Sequence, residues 1–100
     1  MTIKVDPENN ETRAVFNLAD FNGQSVLEIG CGDGRLTWRY ADKAKHVIAI
    51  DAFADGITQA RENIPDELKG RVEFRHTAFE DFAAVSKPST FDRVILSWSL

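Results

Sequence analysis

Short continuous apolar runs alternate along this chain with stretches in which apolar residues recur every three or four positions. The runs at 25–29, 46–51 and 91–98 are nearly unbroken, which predicts strands buried on both faces; 71–76 alternates, with Val72 and Phe74 on one face, and predicts a further strand. Between the strands lie helical patterns. Residues 12–21 place Val15, Leu18 and Ala19 at helical spacing ahead of the helix-ending pair Asn22-Gly23. Residues 35–45 predict a helix with Asp33 available as its cap, and 55–63 carry Ile57, Ala60 and the following Ile64 on one face until Pro65 stops them. Residues 79–85 predict a brief helical segment before the loop Lys87-Pro88-Ser89.

Strands alternating with helices at these spacings need right-handed crossovers, so the predicted class is α/β: a Rossmann-like three-layer sandwich with a parallel sheet of four strands and helices on both faces. It amounts to half of a doubly wound fold. A sequence of 100 residues without internal repeats fits one small domain, residues 1–100. The fourth strand poses a difficulty, because Val94-Ile95-Leu96 is as apolar as a central strand and the sequence offers nothing after Leu100 to cover it. Two resolutions stand open: the domain is a truncated piece, incomplete at its C-terminus, or two copies form a homodimer through the fourth strand.

Composition narrows the functional classes. No apolar run approaches the roughly 18 residues of a membrane helix. Residues 1–7 lack the basic-then-apolar pattern of a secretory leader, so the expected compartment is the cytoplasm. A net charge of −4 argues against nucleic acid as a partner, since phosphate contacts need clustered Lys and Arg. Cys31 is the single cysteine and cannot form an internal disulfide, while His46 and His76 lack the partner spacing of a metal site.

The chemistry concentrates at Val26-Leu27-Glu28-Ile29-Gly30-Cys31-Gly32-Asp33-Gly34, with Asp51 following 21 residues after the first glycine. Glycines at a strand end let the backbone turn sharply and approach a ligand closely. Two ligand classes use such a loop, and they differ in charge. A dinucleotide brings an anionic pyrophosphate, which Glu28 and Asp33 would repel; a sulfonium cofactor is cationic and would be attracted. The dinucleotide pattern also requires glycine where this chain has Arg35.

This first motif resembles that of the class I S-adenosylmethionine-dependent methyltransferases. The resemblance continues with Asp51 ending the second strand, with His76-Thr77-Ala78-Phe79-Glu80-Asp81-Phe82 after the third, and with Phe91-Asp92-Arg93-Val94-Ile95-Leu96-Ser97 at the fourth. It implies S-adenosylmethionine as cofactor, S-adenosylhomocysteine as product, and a small-molecule methyl acceptor. By the same resemblance Gly30 and Gly32, with Cys31 between them, form a platform under the methionyl part, and Glu28 faces its ammonium through water. Asp51 takes both ribose hydroxyls, and Ala52 and Phe53 flank the adenine. Thr77 and Ala78, followed by Phe79, stand where the family has an acid and a small residue. Thr77 departs from that pattern, and Glu80 or Asp81 can substitute for the missing acid. Ser97, with Trp98, ends the fourth strand beside the channel to the acceptor. No catalytic base is identified. Two other readings remain: a half-domain that only binds cofactor or dimerises, and a fragment of a dinucleotide-dependent oxidoreductase.

Overall fold

A computed structural model describes residues 21–87 and 90–97, together with the backbone of 2–5. The predicted helix at 12–21, all but its last residue, and Trp98 lie outside the described residues. Five parallel strands, β1 (Thr2–Val5), β2 (Ser25–Ile29), β3 (His46–Asp51), β4 (Val72–His76) and β5 (Arg93–Leu96), form one sheet in the order β1-β5-β2-β3-β4. Among the described residues the helices are α1 (Thr37–Tyr40), α2 (Ala54–Asn63) and α3 (Phe79–Val85), with a 3-10 turn at Asp66–Leu68.

The alternation of side chains along each strand sorts the core into two layers. Val26, Val47, Ala49, Phe74 and Ile95 face one way and pack with Tyr40 of α1 and Ile57 and Ala60 of α2. Leu27, Ile50 and Val94 face the other way and pack with Phe82 of α3. Helices therefore cover both faces, as the alternating pattern predicts. The chain steps from β2 outward to β3 and β4, then returns to the other side of β2 with β5. That reversal places a topological switch point beside β2, where open α/β sheets form ligand crevices at the carboxyl ends of their strands.

Three expectations are corrected here. The strand β1 joins the expected ones, and the last strand is therefore not an edge: β5 pairs with β2 on one side and with β1 on the other, Ile3 opposite Val94. The backbone groups through which a homodimer was to form are already taken by residues 2–5 of the same chain. The first crossover helix is also shorter than 35–45, covering only Thr37–Tyr40, with turns on either side. Asp33 does not cap that helix; its carboxylate accepts from Arg35 N–H at 3.2 Å and closes a local turn instead.

At the opposite border of the sheet, β4 is an edge. Arg71 and Thr77 bond to β3, and alternate residues between them do the same, which turns the Phe74 carbonyl outward. Arg61 of α2 caps that carbonyl through Nε at 3.2 Å and a terminal nitrogen at 2.8 Å.

Candidate functional site

At the carboxyl ends of β2, β3 and β4 the loops enclose a cavity of about 770 Å³, within the range of small-molecule sites. Its base is the glycine loop. Gly30, Gly32 and Gly34 have φ of 82°, 57° and 91°, a region that residues with a Cβ rarely occupy. At Gly34 a Cβ would also stand 2.7 Å from the Trp38 ring, which packs edge-on against Phe74. The loop starts where β2 ends because Gly30 and Cys31 both donate their N–H to the Ile50 carbonyl.

Asp51 ends β3 at the cavity wall, with 9% of its surface exposed. One carboxylate oxygen accepts from Gly32 N–H and the other from Phe53 N–H, each at 2.8 Å. The side chain therefore ties the glycine loop to the start of α2 and closes the turn into that helix. An ionised carboxylate offers about four acceptor positions, so roughly two stay open toward the cavity.

Of the residues singled out in the sequence, Gly30, Gly32, Asp51, Ala52, Phe53, Thr77, Ala78 and Phe79 line the cavity. Phe53 stands at its rim with 78% of its surface exposed. The Thr77 hydroxyl donates to the Ala78 carbonyl at 3.2 Å and keeps its lone pairs for another donor. Asp33 and Glu80 also line the cavity, whereas Asp81 does not.

Glu28, Cys31 and Ser97 do not line it. Glu28 is fully buried behind the loop, where its Oε1 accepts from the Thr37 hydroxyl at 2.7 Å and the Tyr40 hydroxyl at 2.6 Å, and its Oε2 accepts from Ser97. The Glu28 carboxylate thus meets hydroxyls from α1 and from the end of β5. Burial and the adjoining carboxylate push the Tyr40 hydroxyl well above its ordinary range. Cys31 is buried too; loss of solvation, with Glu28 and Asp51 nearby, pushes its thiol up.

Five lining residues were not assigned to the site from the sequence: Ile29, Arg35, Ile50, Gly56 and Gln59. Arg35 lies 3.6 Å from Asp33 in an exposed pair. Gly56 sits in the first turn of α2, and a Cβ there would approach the Gly32 carbonyl carbon to 2.8 Å, so helix and loop meet backbone to backbone. The available signal was a glycine inside an otherwise sound helical pattern, which points to close packing.

Among the described residues no helix is long and apolar enough to cross a membrane. The family described as "Methyltransferase domain" matches residues 26–100. The phosphoethanolamine N-methyltransferase 1 of Triticum aestivum is 31% identical over 83 residues, covering 83% of this chain and 16% of that protein. The mitochondrial ubiquinone biosynthesis O-methyltransferase of Schizosaccharomyces pombe is 36% identical over 76 residues, covering 74% and 27%. A Listeria monocytogenes structure described as an S-adenosylmethionine-dependent methyltransferase superposes with a TM-score of 0.67 at 32% identity, covering 81% of this chain and 36% of that one. The chain thus spans less than a third of the length of these two curated relatives. A glycine loop, an acid ending the next strand and a matching fold agree with the family match, and the chain belongs to the class I S-adenosylmethionine-dependent methyltransferases.

Proposed function

We propose that this chain is the cofactor-binding part of an enzyme that moves a methyl group from S-adenosylmethionine to a small-molecule acceptor, leaving S-adenosylhomocysteine. The observation that carries the reading is the Asp51 carboxylate, held at the cavity wall by two backbone N–H groups with acceptor positions to spare. Two adjacent hydroxyls of a ribose are donors of the right number and spacing for one carboxylate.

The remaining lining suits the rest of that cofactor. Gly30 and Gly32 bring bare backbone against the methionyl part, and Ala52, Phe53, Ala78 and Phe79 offer apolar surface for the adenine. Thr77, with its hydroxyl proton already committed to Ala78, accepts from the adenine amino group. Charge supports the same choice. Asp33 and Arg35 offset each other, while Asp51 and Glu80 remain as the acids facing the cavity, and they favour a sulfonium over a pyrophosphate. When bound, the cofactor supplies a methyl group on positively charged sulfur, already activated for displacement. What falls to the protein is to hold donor and acceptor close in a dry cleft.

Calorimetry on the purified chain tests this. S-adenosylmethionine and S-adenosylhomocysteine bind at micromolar concentration, NAD does not, and Asp51→Ala weakens S-adenosylhomocysteine by roughly 100-fold, the worth of two charge-assisted hydrogen bonds. Preference for NAD, or binding unchanged in Asp51→Ala, overturns the reading.

A further inference from the structure

Behind the glycine loop lies a charged group with no place in the chemistry above. Glu28 is fully buried, and its hydroxyl donors come from separate parts of the fold: Thr37 and Tyr40 from α1, Ser97 from the residue after β5. Stability alone does not call for an acid there, because a well-packed apolar side chain in such a position is commonly as stable. Its location suggests another use. Glu28 is followed by Ile29 and Gly30, and Ser97 is bound to the first of them: its N–H donates to the Ile29 carbonyl at 2.8 Å, while its one hydroxyl proton goes to Glu28 Oε2. The carboxylate sets the orientation of the Ser97 hydroxyl, and Ser97 holds the backbone where the strand becomes the loop.

We propose that Glu28 is a positioning residue that fixes from behind the point where β2 passes into Gly30, and so sets affinity for the methionyl end of the cofactor without touching it. The inference rests on the reading of the cavity as the S-adenosylmethionine site. The nucleoside end has support outside the loop as well, because Asp51 is held by the Phe53 N–H at the start of α2 in addition to Gly32. The two ends of the ligand therefore respond differently when the buried cluster is disturbed.

The test compares S-adenosylhomocysteine with adenosine, which keeps base and ribose and lacks the methionyl part, by calorimetry on the unaltered chain, Glu28→Gln, Ser97→Ala and Ser97→Thr. In Glu28→Gln and Ser97→Ala, affinity for S-adenosylhomocysteine falls about tenfold, as expected for one hydrogen bond to a charged group, while adenosine changes by less than about twofold. Ser97→Thr retains the hydroxyl and restores the ratio. Ser97→Ala removes one hydroxyl at the border of the cluster, so it keeps the test valid should Glu28→Gln fail to fold. An unmoved ratio, or equal weakening of both ligands in step with a lower melting temperature, overturns the inference and leaves the site reading intact. If the unaltered chain binds no S-adenosylhomocysteine, the site reading fails and the inference falls with it.

Discussion

Glu28 and Asp51 are carboxylates on adjacent parallel strands, and they do opposite things. Glu28 pairs in register with Ala49, one step before the last β2–β3 pair, so its side chain is enclosed by α1 and meets hydroxyls. Asp51 lies one residue beyond that last pair, where the sheet gives way to the cavity, and it meets backbone N–H groups with room left over. A shift of two residues along the sheet separates an acid that holds the loop together from one able to hold a ligand. Position relative to the strand end, and not residue type, decides the role.

The contrast can be broken most forcefully at its sealed side. Glu28→Ala leaves buried hydroxyls without their acceptor and is expected to cost about 3–5 kcal/mol in urea unfolding. A loss below about 1 kcal/mol would show that the carboxylate is not what organises the cluster. On the open side, Asp51→Asn puts an amide NH2 where a backbone N–H needs an acceptor. Binding of S-adenosylhomocysteine is expected to weaken by about 2–3 kcal/mol in calorimetry, with unfolding shifted by only about 1 kcal/mol. If the stability loss exceeds the binding loss, Asp51 belongs with Glu28 and the contrast disappears.

Smaller effects sharpen the comparison. Gly56→Ala drives a Cβ to 2.8 Å from the Gly32 backbone, so overpacking of about 1–3 kcal/mol is expected in unfolding experiments, together with weaker ligand binding. A pH series supplies the last check. Burial raises the Cys31 thiol above its ordinary 9.0 and, with the Glu28 charge, the Tyr40 hydroxyl above 10.0. The folded state thus keeps protons that the unfolded chain releases. Their stabilisation is fully present below about pH 9 and declines as pH rises, at about 1.4 kcal/mol per pH unit for each group above its unfolded value. Cys31→Ala and Tyr40→Phe should each flatten the alkaline slope between about pH 9 and 11; a slope unchanged in both variants would show that neither proton is held by the fold.

Much of this architecture was legible because its signals are local. The apolar runs at 25–29 and 46–51 coincide with β2 and β3, and 79–85 with α3. The glycine loop and Asp51 were legible for the same reason, since spacing within about 20 residues carries them. Other features depend on distant partners. The four residues of β1 look like any short mixed stretch until they lie beside β5, some 90 positions later in the chain. Glu28 shows an acid in an apolar strand, which calls for a partner without naming one; Tyr40 comes 12 residues later and Ser97 69. Helix 35–45 was overextended because the segment after Tyr40 has helical composition yet is drawn into turns, with Lys43 bonded back to Tyr40 and Gly23 bonded to Lys43.

The meeting of Gly56 with Gly32 carries a mechanical consequence. Two main chains in direct contact have no rotamers between them to absorb a displacement. Any displacement of Gly32 must therefore carry the first turn of α2 along, and the cavity floor and that helix end behave as one rigid piece.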